Sequence, residues 1–252
     1  GNYNAGSLLK AIELYSYLKQ YKNEANSIHF LNGERDIRYI DFFKRKFPNT
    51  KFCATFHKPP EVLSKAIHNP VALRKLDGAI AVGTNQVDFL KDWLQLENVI
   101  YIPHGVDTQF FVPDNSLKKK NTLLFVGQHL RDFEMFNKTI PRIAKEIPDL
   151  CVNVVVHPAY THKIEHHTCV TILSEVKDEA LRELYQEASL LYLPMLDSTA
   201  CNSLLEAMSC GLPIITSAVG GNATYLDGTS NVLVAPGNNE EFITQTVTLL
   251  QD

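Results

Sequence analysis

Cysteine is scarce. The 252 residues hold five: Cys53, Cys151, Cys169, Cys201 and Cys210. The number is odd, the spacing wide, and no CxxC pair occurs. That argues against a disulfide framework and reads as reduced thiols of a cytosolic protein. Long apolar runs are also missing, since none reaches the roughly 18 residues that a membrane-spanning helix needs. Nor is there an excess of basic charge. Lys and Arg total 24 against 28 Asp and Glu, a formal net charge of −4, so no chain-wide basic field marks a nucleic-acid binder. No signal-peptide pattern is visible at the N-terminus, so the expectation is a cytoplasmic chain.

What is present is ordinary globular composition, 45% apolar and 21% charged, with enough length to bury a sizeable core. Short apolar runs alternate with helical periodicity. Strand candidates are Ser27–Leu31, Lys51–His57, Gly78–Val82 and Val99–Ile102, then Thr122–Val126, Val152–Val156, Val170–Leu173, Leu190–Leu193, Pro213–Thr216 and Asn231–Val234. Helical stretches are expected at 7–21, 39–46, 61–76 with a break near Asn69-Pro70, 84–94, 133–145, 178–188, 202–209 and 239–250, with Asp178 as an N-cap. The polar run Pro113–Asn121, with three consecutive lysines Lys118–Lys120, reads as a solvated linker. It sets domain boundaries of 1–113 and 121–252. Alternation of this kind implies βαβ crossovers, so the expected class is α/β, with two Rossmann-like, doubly wound parallel-sheet domains facing a cleft. Ligands of such sheets bind beyond the carboxyl ends of the strands.

The densest chemistry lies in Leu191–Gly221. A buried strand ends at Pro194, a polar loop follows, and a helix begins near Asn202 and Ser203. A helix N-terminus offers free N–H groups and partial positive charge to a phosphate. Glu206 sits on that helix among Leu204, Leu205, Ala207 and Met208, where a carboxylate is costly without partners. Two ribose hydroxyls could donate to it. A structural salt bridge or a solvent-facing Glu is the alternative.

The run Leu204-Leu205-Glu206-Ala207-Met208-Ser209-Cys210-Gly211-Leu212-Pro213 resembles the donor-binding signature of glycosyltransferase family 4 and related GT-B-fold enzymes of the group 1 type. The resemblance extends to Gly220-Gly221, to Ile102-Pro103-His104-Gly105-Val106-Asp107, which looks like the family's interdomain loop, and to Val176–Tyr185, which looks like the segment lining the nucleotide base. It covers about residues 99–237. It implies that Glu206 holds the ribose, that Gly127, Ser198, Thr199, Asn202, Ser203 and Val176 line the donor, and that His57 reaches the transferred sugar or its leaving oxygen.

Two positions depart from the family pattern. The first Glu of the family's pair falls at Ser198, beside Asp197. The Gly-Arg after the first strand of the second domain is Gly127-Gln128, so Arg131 is the nearby cation left to take the diphosphate, where a guanidinium can fork onto two oxygens. An Arg131–Asp132 surface pair is the alternative, as a plain loop histidine is for His57. His29 and Glu34 end a strand and are weaker candidates for the acceptor side. Asn2–Gly6 could be the family's glycine-containing loop. His157, His162, His166 and His167 raise a zinc reading, but no Cys or carboxylate completes a ligand set, and no metal is expected. Cys201 has no evident triad companion.

The resemblance implies a retaining, metal-independent, hexosyl-type glycosyltransferase with no cofactor. It would use a nucleotide sugar, a UDP-sugar first, and a saccharide or lipid-linked acceptor, in polysaccharide or glycoconjugate biosynthesis. Peripheral contact with the inner membrane face stays open, and no nucleic acid is expected. The alternatives are a non-catalytic nucleotide-sugar-binding or scaffold protein of the same fold, motivated by Ser198 and Gln128, and a sugar-nucleotide epimerase. Relative to the family, a strand before Asn2 and closing helices after Asp252 are expected to be lacking, as in the core of a longer enzyme.

Overall fold

The structure, a computed structural model, describes residues 5–251 except Asn23 and His68. It forms two compact units, Gly1–Pro103 and His104–Asp252. The first contains α1 (Ala5–Gln20), β1 (Ser27–Phe30), α2 (Ile40–Lys46), β2 (Lys51–Phe56), α3 (Pro60–Ala66), β3 (Gly78–Ala81), α4 (Val87–Leu94) and β4 (Val99–Tyr101). The strands are all parallel, in the order β1-β2-β3-β4. Phe52, Ala54 and Phe56 of β2 are fully buried, and Phe43, Leu63, Leu90 and Leu94 from the helices belong to the same core. The helix over 61–76 breaks as expected around Asn69-Pro70: α3 stops at Ala66, and one 3-10 turn forms at Leu73–Lys75. Pro70 explains the break, because proline disfavours helical backbone in the residue before it.

The second unit contains β5 (Thr122–Val126), α5 (Phe133–Glu146), β6 (Cys151–Val155), β7 (Val170–Leu173), α6 (Asp178–Glu187), β8 (Leu190–Leu193), α7 (Asn202–Ser209), β9 (Ile214–Ser217), α8 (Asn222–Tyr225), β10 (Val232–Val234) and α9 (Asn239–Gln251). Its sheet runs β10-β9-β8-β5-β6-β7, with every pair parallel. Counted from β5, that is the doubly wound order 3-2-1-4-5-6, and the direction in which strands are added reverses between β5 and β8. All residues of β5 (TLLFV) and β8 (LLYL) are buried. Continuous apolar runs of this kind belong to central strands covered on both faces. Their two polar tips are both partnered: the Tyr192 hydroxyl lies 2.6 Å from Thr139 Oγ1 of α5, and Thr122 Oγ1 donates to Lys120 O at 3.0 Å.

The segment from His104 to Lys120 packs with the second unit. The Phe111 ring meets Tyr185 edge-on at 6.0 Å. Gln186 Nε2 donates to Val112 O at 2.8 Å, and Ser209 Oγ donates to Phe111 O. The lysine run is partly engaged: Lys119 N donates to Glu187 O at 2.8 Å, and its ammonium pairs with the Glu187 carboxylate at 2.8 Å. Phe111 therefore anchors a stretch whose polar composition reads as linker. At α6 the N-cap is Lys177, and Asp178 is the first helical residue. There its charge faces the helix dipole rather than capping an N–H.

Candidate active site

The reversal of strand order in the second unit opens a crevice. β5 and β8 pair only at Leu123↔Leu190 and Leu124↔Leu191. Beyond that register their carboxyl ends lead into two loops, 127–132 and 194–201. An isolated antiparallel bridge, Arg131↔Met195, ties the loops together. Its hydrogen bonds are Asp132 N to Pro194 O and Leu196 N to Leu130 O, both 2.9 Å. This is the position at which doubly wound sheets bind ligands.

Arg131 is buried at the floor of this crevice. Its Nε donates to Val126 O at 2.9 Å and its Nη1 to His129 O at 3.1 Å. Nη2 faces Ser203 Oγ at 3.3 Å and Cys201 Sγ at 3.4 Å. No ion pair among the described residues includes it. The alternative reading, a surface pair with Asp132, is not seen: Asp132 instead caps α5 by accepting from Met135 N at 2.9 Å. All three guanidinium nitrogens are held internally, so Arg131 offers positive charge rather than an open fork. Gly127 makes this possible. Its φ is +90°, and a Cβ there would lie 2.9 Å from Arg131 Nη2.

The second loop carries Ser198 and Thr199, both buried. It lies against the glycine pair. A Cβ on Gly220 would come within 1.8 Å of Ser198 O, and one on Gly221 within 2.1 Å of Thr199 O. Gly221 N donates to Ser198 O at 3.2 Å. The two glycines thus act through backbone contact with the loop.

The loop runs into α7. Cys201 is its N-cap and makes no side-chain capping bond. Asn202 and Ser203 are the first helical residues rather than caps. Asn202 is exposed, with Oδ1 3.5 Å from His104 Nδ1, whereas Ser203 is buried against Arg131. An uncapped helix N-terminus above a buried cation favours an anion.

One turn further on, Glu206 is half-buried. Its Oε2 accepts from the Tyr185 hydroxyl of α6 at 2.7 Å. It forms no ion pair among the described residues, so it is neither salt-locked nor fully solvent-facing. Burial pushes its pKa up against the lowering effect of the Tyr185 hydrogen bond; Asp178 adds to the rise and Arg131 offsets part of it. Burial also holds the Tyr185 hydroxyl well above its ordinary value, and the Glu206 charge reinforces this. Tyr185 has no charge signature in sequence, yet it fixes one oxygen of the central carboxylate. Val176 is half-buried on the loop leading into α6.

His57 lies in the first unit, beyond the end of β2. A buried Glu34 holds this loop by accepting from the backbone N–H groups of His57 and of Lys58, the latter at 2.9 Å. Its Oε2 is 3.7 Å from His57 Nδ1. Burial raises the Glu34 pKa, but the hydrogen bonds from the His57 side chain and from the two backbone N–H groups outweigh it. The carboxyl stays below its ordinary range. Gln86 fixes the loop from the other side. It is fully buried and its four polar valences are used: Oε1 accepts from Val82 N and Gly83 N, and Nε2 donates to Phe56 O and Lys58 O. Nothing in the sequence pattern distinguishes Gln86 from a surface residue. His29 Nε2 is 2.7 Å from Thr55 Oγ1 and lines a cavity of about 310 Å³ with Arg35 and Arg38.

The structure therefore brings Gly127, Arg131, Ser203 and Glu206 to one switch point, with the Ser198–Thr199 loop beside them. His57 is carried by the other unit. Of the residues proposed for a glycine-containing loop, Asn2–Asn4 lie outside the described residues, and Gly6 is in α1. Among the described residues no three His, Cys, Asp or Glu side chains are grouped to hold a metal. No described helix is long and apolar enough to cross a membrane.

Comparison with known proteins agrees with this fold. The chain is 23% identical over 205 residues to the D-inositol 3-phosphate glycosyltransferase of Stackebrandtia nassauensis, covering 69% of this chain and 46% of that one. It spans under half the length of the curated relatives it matches. Among solved structures, sucrose-phosphate synthase from Thermosynechococcus elongatus superposes with a TM-score of 0.76 at 19% identity, over 95% of this chain and 67% of that one. Anabaena HepE, solved with UDP and glucose, gives 0.73 at 14% identity, over 94% and 71%. These likenesses establish the GT-B fold class for the two parallel-sheet units. The family model described as glycosyl transferases group 1 matches residues 120–252, more than half of the sequence, and the chain belongs to that family.

Proposed function

We propose that the chain is the core of a retaining glycosyltransferase that takes a UDP-sugar as donor and a saccharide or glycolipid as acceptor, in polysaccharide or glycoconjugate biosynthesis. The observation that carries this reading is Glu206: a half-buried carboxylate with one oxygen held by Tyr185 and no cationic partner among the described residues. The ribose hydroxyls would donate to its open side. The diphosphate would sit on the free N–H groups at the start of α7, with Arg131 beneath supplying charge. Negative charge grows on the leaving diphosphate as the glycosidic bond breaks, so fixed donors and a fixed cation there lower the barrier. That arrangement works without a metal. His57, oriented by Glu34, would contact the sugar or its leaving oxygen. The cavity lined by His29, Arg35 and Arg38 is a candidate acceptor pocket. Exposed Leu8, Leu9 and Ile12 on α1 fit contact with a lipid-linked acceptor at a membrane surface. The family match and the UDP-bound neighbour support the donor class.

The test is calorimetric titration of the protein with UDP-sugars, followed by product analysis with saccharide acceptors. Glu206→Ala should weaken donor binding strongly, and unchanged affinity would overturn the assignment. A second reading, nucleotide-sugar binding without turnover, draws on one observation: the Arg131 nitrogens are all engaged internally. Tight donor binding with neither transfer nor hydrolysis would favour it.

A further inference from the structure

Two of the five cysteines immediately precede the first residue pair of the β6–β7 ladder, at the edge of the second sheet. Val152 pairs with Val170 in the β6–β7 ladder, which places Cys151 opposite Cys169 one residue earlier. That first pair is closed by Val152 N donating to Cys169 O at 2.8 Å, and Cys169 lies in the turn that leads into β7. The two thiols are near enough to interact electrostatically. The strand spacing of about 4.8 Å lies inside the Cα separation of about 4.4–6.8 Å that a disulfide spans. Cys151 is exposed and Cys169 half-buried. His167 completes the cluster. Its Nδ1 is 3.0 Å from Cys169 Sγ and accepts from Cys169 N at 3.3 Å. An Nδ1 that already accepts an N–H is the unprotonated nitrogen, placed to take the thiol proton.

We propose that Cys151 and Cys169 form a peroxide-oxidisable dithiol, with His167 as the base that closes the disulfide. Exposed Cys151 meets hydrogen peroxide first. Its sulfur attacks one peroxide oxygen, the O–O bond breaks, and one water leaves Cys151 as a sulfenic acid. The Cys169 proton then passes to His167 Nδ1. The thiolate attacks the Cys151 sulfur, the S–O bond breaks, and the departing hydroxide takes the proton from His167 as a second water. Two thiols thereby give up two electrons and reduce one peroxide to two waters. Burial raises the Cys169 thiol above its ordinary value, which suits a resolving thiol that needs a base rather than a first target. Neighbouring strands hold Cβ atoms further apart than the roughly 3.8 Å of a relaxed disulfide. The bond must therefore draw the strand ends together, and strained disulfides are readily reduced. The pair lies at the amino ends of β6 and β7, opposite the carboxyl ends that form the candidate site, so oxidation should leave nucleotide binding intact.

The experiment treats the intact protein with one equivalent of hydrogen peroxide, blocks remaining thiols and maps peptides by mass spectrometry without reductant. The expected product is a Cys151–Cys169 linked peptide, lighter by two hydrogens and released by dithiothreitol. Cys169→Ser should leave a sulfenic acid at Cys151 that dimedone traps. His167→Gln, with an unchanged melting temperature, should slow linkage about tenfold or more while Cys151 sulfenylation keeps its rate. Progression of Cys151 to sulfinic acid without linkage, a linkage through Cys53 instead, or an unchanged closure rate in His167→Gln overturns the proposal.

Discussion

The Tyr185 hydroxyl donates to Glu206 Oε2 at 2.7 Å, joining α6 to α7 beside the switch point of the second sheet. Tyr185 is 1% exposed and packs edge-on against Phe111, so its ring cannot turn away without disturbing the core. The hydrogen bond therefore sets which carboxylate oxygen remains for a ligand. Tyr185→Phe keeps the packing and removes the donor. It should cost about 1.5–3 kcal/mol of stability, the range for a hydrogen bond to a charged group, and should weaken UDP-sugar binding. Urea denaturation and calorimetry on the same variant read both effects. A variant with unchanged donor affinity would show that the tyrosine only packs.

Glu206 and Glu34 should give opposite signatures against pH. The Glu206 carboxyl titrates above the ordinary 4.5 because it is buried. Donor binding through its ionised form should be complete above that raised value and should fall as pH drops through it. In the unliganded protein the fold disfavours the charged form, so stability is lost as pH rises from the unfolded value through the raised one. Glu34 titrates low, held by hydrogen bonds from His57 and Lys58. Its contribution is fully present above the unfolded value and is lost as pH falls through the lowered one. Denaturation midpoints across acidic pH, compared among wild type, Glu206→Gln and Glu34→Gln, should show each variant removing its own limb.

Glycine positions in the second unit are set by contact. Gly221→Ala places a Cβ 2.1 Å from Thr199 O, a backbone atom that cannot rotate away. It should destabilise the unit by about 2 kcal/mol or more and reduce donor binding as the 197–200 loop moves. Gly228→Ala is the control. Its φ of +71° is left-handed, which the −80° of Gly221 is not, and a Cβ there would meet nothing within 4 Å. It should cost only the backbone strain of about 1 kcal/mol. Equal losses in the two variants would exclude the steric account.

Gln86→Leu leaves the N–H groups of Val82 and Gly83 and the carbonyls of Phe56 and Lys58 without their partner. Buried unsatisfied groups cost about 1–3 kcal/mol each, so a total loss of about 3 kcal/mol or more is expected by chemical denaturation. Since Lys58 and Phe56 flank His57, glycosyl transfer should fall even where the variant remains folded. Retained turnover in a folded Gln86→Leu would separate His57 from the reaction.

Most elements were legible in the chain because their signal is local. The runs TLLFV and LLYL are central strands for the reason their composition implies, burial on both faces. The approach of Glu206 to a partner was legible only as a need: a carboxylate among Leu204, Leu205 and Ala207 requires compensation, but the compensating group lies 21 residues away. The polar segment around Lys118–Lys120 is solvent-exposed as its composition implies, but its attachments were not legible for a similar reason. Its lysines face solvent, yet the Lys119 backbone and ammonium are also tied to Glu187, and Phe111 just before the segment is packed on Tyr185.

Alternation of apolar strands and amphipathic helices determined, without coordinates, that the chain builds parallel α/β layers, because period and run length act within each element. Which loops meet at the β5–β8 crevice, that Arg131 lies with its nitrogens engaged beneath Ser203, and that Tyr185, Glu34 and Gln86 hold the chemistry-bearing residues were decided by tertiary structure alone. Hydrogen-bond geometry and steric fit depend on atoms tens of residues apart in the chain, and no local pattern encodes their distances.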